Sequence, residues 1–335
     1  MKLTENIELL MKSFRKFQFK IIFFAMLFFN IVMNAQDGIN AKTFYKHDKY
    51  LSSDKMQGRF PGTKGNDDAA AYIEKYFKKF GLKKFNDGYY QSFRLFVKEG
   101  LNKVKSDSVT TQNVVGYLEG SDETLKNEYI VIGAHYDHWG WGGQNSGSKK
   151  KDVAAIHNGA DDNASGVSAL LCILEELSKA KTKPKRSIIF VSFSGEEEGL
   201  LGSKYFVSHL PIKKEALKVM LNMDMVGRLN PEKQIYMGGA GTFPEGVELM
   251  KKLGENSGLN PVVHAGEVGG SDHVSFYKSG ISVIGFHTGG HSQYHTPEDD
   301  VDLINVDGGA LVAKYIYNAL VEIANYSQLY FINRD

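Results

Sequence analysis

Apolar residues recur along this chain at two spacings, and their alternation predicts its architecture. Ala69, Ile73, Tyr76, Phe77 and Phe80 keep helical spacing behind Asp67 and Asp68, and Gly81 stops that helix. From Tyr89 to Val97 and from Ser106 to Leu118 the pattern turns to strands. Tyr129–Ala134 and Ser187–Phe193 are short apolar runs of the kind that form buried strands. Val219–Met223, Ser282–His287 and the shorter Gln234–Met237 read as further strands. After Gly166, one helical face is marked by Val167, Leu170, Leu171, Leu174 and Leu177. Leu200–Leu210, Pro244–Asn256, His273–Ser279 and the amphipathic Gly309–Asn325 are the remaining helices. Residues 38–66 read as an irregular lead-in, 139–157 as a long loop and 257–273 as Gly-rich loop. Strands alternating with helices predict an α/β fold: a three-layer α/β/α sandwich around a mostly parallel mixed sheet, in a single domain.

The N-terminus follows a different rule. Lys12, Arg15, Lys16 and Lys20 precede an apolar run from Ile21 to Met33, and Ala35 stands before Gln36. Basic segment, apolar segment and small residue, in that order, make a secretory signal. The run falls short of the roughly 20 apolar residues that a membrane span requires. Residues 1–35 are therefore expected to be a cleaved signal peptide, and 36–335 the catalytic domain. The mature protein is expected to be secreted or periplasmic, without a stable membrane span. Lys+Arg 40 against Asp+Glu 39 leaves a formal charge of +1 and no argument for nucleic acid. A single cysteine, Cys172, excludes an internal disulfide and a Cys-rich metal site. It stands among the apolar residues of a helix and reads as a small buried hydrophobe.

Chemistry enters where the apolar runs end. His135 follows one predicted strand, Glu196-Glu197-Glu198 another and Asp224 a third, while Asn158–Gly166 (NGADDNASG) puts Asp161 and Asp162 at a helix start. In an open α/β sheet the ligand crevice lies beyond the carboxyl ends of the strands. In the His-x-Asp at 135–137, His135 is expected to offer one ring nitrogen to a metal while Asp137 accepts the other N–H; a buried hydrogen-bonded pair without metal is the commoner reading of that motif alone. Three adjacent acids would repel one another in a merely structural cluster. The loop around 290–297 carries His291 and His295, and composition alone allows either to bind metal. Imidazole and carboxylate without thiolate suit zinc, with manganese or cobalt tolerated.

GAHYDH, NGADDNASG, SGEEEGLLGS, NMDMVG, GGSDH and YHTPEDD, in this order, resemble metallopeptidase family twenty-eight. That likeness covers nearly the whole mature chain. It implies a metallo-aminopeptidase, or another exopeptidase, with two zinc ions and peptide substrates bearing a free N-terminus. Carried over by motif, it implies His135, Asp161, Glu197, Asp224 and His295 as metal ligands, with Asp161 bridging. Glu196 is implied as general base and Asp137 as the partner behind His135; Asp272 resembles a position behind the site or facing substrate. Two alternatives share this fold: a glutaminyl-peptide cyclotransferase and a non-catalytic binding protein. The first usually has Trp before the last ligand histidine, where this chain has Tyr294, and the intact ligand set opposes the second.

Overall fold

The structure, a computed structural model, describes residues 38–85, 87–97, 102 and 108–334. The expected signal segment, residues 1–35, lies outside the described residues. Among the described residues eight strands form one sheet: β1 (Tyr90–Phe96), β2 (Ser108–Leu118), β3 (Tyr129–His135), β4 (Ser187–Phe193), β5 (Leu217–Met223), β6 (Gln234–Gly238), β7 (Asn260–Val263) and β8 (Ser282–His287). Their order is β1-β2-β4-β3-β5-β8-β6-β7. The central β4, β3, β5 and β8 run parallel. At one side β2 and β1 are each antiparallel to their inner neighbour; at the other, β6 is antiparallel to β8 and β7 parallel to β6.

The central strands are apolar on both faces because helices cover both. Ile130, Ile132, Val219 and Leu221 face a large core with α1 (Ala41–Leu51), α2 (Lys64–Lys79), α3 (Gly166–Lys179), α5 (Gly246–Gly254) and α7 (Val306–Asn325). Val131, Ile189, Val191 and Met220 face the other way, onto Phe206 of α4 (Leu201–Ser208) and Phe276 of α6 (His273–Tyr277). Full burial of each such side chain contributes about 1.5–3 kcal/mol. From Ile39 to the C-terminus the chain forms one compact unit, the expected three-layer sandwich. Cys172 is buried in α3, as expected. Among the described residues no helix is long and apolar enough to cross a membrane.

Three local expectations are corrected. Residues 38–66 are not an irregular lead-in, because α1 occupies much of them. Its buried positions Phe44, His47, Asp48 and Leu51 keep helical spacing, but two are polar and hide the stripe. Asn40 caps this helix by accepting from the Thr43 N–H. The second correction is α2, which begins at Lys64 rather than Asp67, with Thr63 as its cap. The third is β7, a four-residue strand inside the expected 257–273 loop.

The order 4-3-5 at the centre places β3 where the connections diverge to opposite sides, the position at which open α/β sheets bind ligands.

Candidate metal centre

His135 is the last residue of β3, Glu196 and Glu197 follow β4 after Gly195, and Asp224 follows β5. Gly195 has φ 71°, the left-handed conformation that turns the chain at once and keeps both glutamates at the sheet's edge. His295, in the loop after β8, closes the group from above. The structure thus brings His135, Glu196, Glu197, Asp224 and His295 together.

Asp161 does not join them. Its Oδ1 accepts from the Gly227 N–H at 2.8 Å, and its Oδ2 lies 3.2 Å from His291 Nε2. The neighbouring Asp162 points into the group instead: Oδ1 is 3.3 Å from His135 Nε2 and Oδ2 is 3.1 Å from His295 Nε2. The irregular turn Ala160–Ser165 causes the exchange. Both backbone N–H groups, of Asp161 and Asp162, bind the buried Asp299 carboxylate, so the turn is fastened from behind with Asp162 facing the sheet. Gly159, with φ 54°, allows this, since a Cβ there would meet the Asp162 carbonyl oxygen at 2.1 Å. Asp162, not the expected Asp161, stands between His135 and His295.

Two donor sets flank Asp162. On one side His135 Nε2 lies 3.5 Å from Asp224 Oδ1, with Glu196 in the same group. On the other, His295 Nε2 lies 3.2 Å from Glu197 Oε2, and Glu197 Oε1 lies 2.6 Å from His138 Nδ1. Asp137 plays a different part from the one expected. His135 Nδ1 faces the Asp137 backbone carbonyl at 3.2 Å and its carboxylate only at 3.7 Å. The carboxylate chiefly accepts the backbone N–H groups of Glu196 and Glu197, at 3.2 and 3.4 Å. It fastens the turn that presents both glutamates.

Electrostatics show what the cluster requires. Burial pushes the Glu196 carboxyl well above its usual range; His135 opposes this, and Glu197, Asp272 and Asp224 add to it. Burial would also raise Asp162, but the His135 and His295 imidazoles beside it, at 3.3 and 3.1 Å, hold it well below the ordinary carboxylate value. Burial would lower His295, yet Asp162 and Glu197 push it up to about 10. So many carboxylates demand positive charge among them. Meanwhile His135 Nε2, His295 Nε2 and Asp224 Oδ1 are buried without hydrogen-bond geometry to any partner among the described residues. Unpaired buried donor atoms cost free energy unless they bind something. Imidazole nitrogens and carboxylate oxygens converging on Asp162 fit divalent metal, zinc in particular, on both its sides.

A cavity of about 230 Å³ opens beside the group, lined by Asp162, Glu196, Glu197 and Asp224 together with Met225, Phe286 and Tyr294. Among its described lining residues there is no lysine or arginine. Asp272 is buried behind the site; burial raises its pKa to about 7, with His135 pulling against it. Trp139 packs edge-on against the His295 ring at 5.4 Å and so supports the site.

Sequence reasoning left two supporting groups unassigned. His138 stands in the sequence as one more imidazole beside the His-x-Asp, with nothing local to give it a role. Arg59 is wholly buried and donates to the carbonyls of Leu51, Tyr136, Asn158 and Gly159, tying α1 and the segments that carry His135 and Asp162 to one guanidinium. An Arg within a Gly-Arg-Phe-Pro-Gly turn carries no local sign of burial.

The profile of Peptidase family M28 matches residues 113–320. Aminopeptidase YwaD of Bacillus subtilis (strain 168) is 30% identical over 238 residues, 67% of this chain and 48% of that protein. The chain thus matches about half the length of that relative. BSAP, a zinc aminopeptidase from Bacillus subtilis, superposes with TM-score 0.65 at 19% identity, covering 84% of this chain and 95% of that one. The glutaminyl cyclase of Porphyromonas gingivalis superposes with the same TM-score, 0.65, at 18% identity, covering 85% and 98%.

Proposed function

The chain belongs to peptidase family M28, and from that premise we propose that it is a zinc-dependent exopeptidase, an aminopeptidase acting on peptides with a free N-terminus. The observation that carries this reading is the pair of donor sets on either side of Asp162. His135 and Asp224 would hold one zinc ion, Glu197 and His295 the other, with Asp162 shared. Bound there, zinc would supply Lewis-acid polarisation of the scissile carbonyl and a more acidic water.

Glu196 does the proton work. Its buried carboxylate would take a proton from the attacking water and deliver it to the leaving nitrogen, the role of a general base. Asp137 keeps Glu196 and Glu197 at their separate tasks by holding both backbone N–H groups. The cavity's carboxylates, with no lysine or arginine among them, favour the ammonium of a free peptide N-terminus over a carboxylate terminus. Met225, Phe286 and Tyr294 offer apolar surface to the side chain beside it. This favours an aminopeptidase over other exopeptidases.

The glutaminyl cyclase neighbour shares the sandwich, but this chain has Tyr294 where cyclotransferases of this fold usually carry Trp, and donor sets stand on both sides of Asp162. We further propose that residues 1–35 direct export and are removed. N-terminal sequencing of the mature protein tests that cleavage.

The deciding experiment is a panel of aminoacyl anilides, N-blocked and unblocked, with a Gln-starting peptide, with and without chelator. Chelator-sensitive hydrolysis of unblocked substrates alone is expected. Cyclisation of the Gln peptide without anilide hydrolysis would overturn the aminopeptidase reading.

A further inference from the structure

His138 follows the His-x-Asp segment directly and is fully buried. Its Nδ1 lies 2.6 Å from Glu197 Oε1, a short contact for two buried groups. The other oxygen of that carboxylate, Oε2, is the one that faces His295 Nε2, at 3.2 Å. From Asp162 Oδ2, His138 Nδ1 is 3.9 Å away, beyond hydrogen-bond reach. The imidazole is also wedged in place, since a Cβ added to Gly159 would stand 2.5 Å from its Cδ2. A seated ring with one nitrogen committed to Glu197 Oε1 leaves that carboxylate one orientation.

We propose that His138 is a positioning residue that clamps Glu197 Oε1 and thereby reserves Oε2 for the ion shared with Asp162 and His295. The inference rests on the two-ion reading above and adds an asymmetry to it. Glu197 is gripped at both ends, by Asp137 at its backbone and by His138 at its carboxylate. Asp224 is held at its backbone, where its N–H donates to the Phe286 carbonyl, but its carboxylate Oδ1 is buried without a partner among the described residues. A free carboxylate rotates between one-oxygen and two-oxygen binding, and freezing that choice lowers the ordering cost of metal binding. His138 therefore strengthens one position and leaves the His135–Asp224 position untouched.

The test is zinc titration of the purified full chain against a fluorescent chelator, with bound zinc counted by elemental analysis. Wild type and the variants His138→Ala and His138→Gln are compared, and apo-protein melting is recorded beside each. Loss of an orienting partner typically weakens metal binding by about 10- to 100-fold. His138→Ala is expected to weaken one of two zinc ions by that factor and leave the other unchanged. His138→Gln, whose carboxamide N–H can donate to Glu197, is expected to recover most of the loss. Where the alanine variant does not fold, His138→Met, similar in bulk and without a donor, takes its place. Unchanged affinity at both positions, or equal weakening of both, overturns the clamp. Failure of the glutamine variant to recover binding overturns it in favour of direct ligation by His138. Wild-type protein that takes up fewer than two zinc ions overturns the two-ion reading itself and the clamp with it.

Discussion

Asp161 and Asp162 are adjacent in the chain and serve opposite sides of it: Asp161 accepts the Gly227 N–H at 2.8 Å, and Asp162 lies within 3.3 Å of His135 Nε2 and 3.1 Å of His295 Nε2. One carboxylate builds the turn and the other faces the reactive space. Replacing each in turn separates these jobs. Asp162→Ala should empty both zinc positions, measured as bound zinc per chain after dialysis. Asp161→Asn, which keeps an acceptor for Gly227, should retain both ions. Zinc retention by Asp162→Ala would return the bridging role to another residue.

Glu196→Gln isolates proton transfer from binding. The amide keeps the shape of the side chain but cannot accept the water's proton. Turnover should fall by about 10²–10⁴-fold, the usual worth of a positioned general base. Zinc content should stay at the wild-type value. Steady-state kinetics on an unblocked aminoacyl anilide give the first quantity and elemental analysis the second; a wild-type kcat would remove Glu196 from the mechanism.

Much of this was legible beforehand, and the gaps have physical causes. Strand ends could be read because β3, β4 and β5 are apolar on both faces, so His135, Glu196 and Asp224 break each run abruptly. Which of two neighbouring aspartates faces the site could not be read. That depends on Asp299, more than a hundred residues away, binding the N–H groups of Asp161 and Asp162. Helix α1 was lost because His47 and Asp48 occupy its buried stripe, where a periodicity rule counts only apolar residues. His138 meets its partner Glu197 only in the folded chain, from 59 residues away. In each case the missing information was a long-range contact.

Arg59 should be a stability residue more than a catalytic one. Its guanidinium donates at 2.6 to 3.0 Å to four backbone carbonyls that share no other common partner among the bonds described here. Hydrogen bonds to a charged group are worth about 1.5–3 kcal/mol each, and buried carbonyls left unpaired add a desolvation cost. Arg59→Met is expected to lower stability by on the order of 3–5 kcal/mol. Arg59→Lys, with no planar fork, should recover only part of this. Denaturant midpoints of the metal-loaded proteins measure both, and a loss below about 1 kcal/mol for the methionine variant would contradict the bonding described.

His47 offers a pH signature remote from the metal centre. It is buried in α1, its Nδ1 2.9 Å from the Tyr72 hydroxyl and its Nε2 without a hydrogen-bond partner among the described residues. Burial lowers its pKa from 6.5 to about 3, with Lys46 and Lys79 adding to the effect. Between those values the unfolded chain binds a proton that the folded chain refuses, so the neutral imidazole's contribution is complete above pH 6.5 and is lost as pH falls toward 3. At pH 4 that loss amounts to about 3 kcal/mol, each pKa unit being worth about 1.4 kcal/mol. Carboxylates titrate over the same range, but they do so equally in a His47→Gln variant. The stability gap between wild type and His47→Gln should therefore move in the variant's favour by about 3 kcal/mol from pH 7 to pH 4. Urea unfolding at the two pH values reads this directly, and parallel pH dependence in the two proteins would mean that His47 takes up its proton while folded.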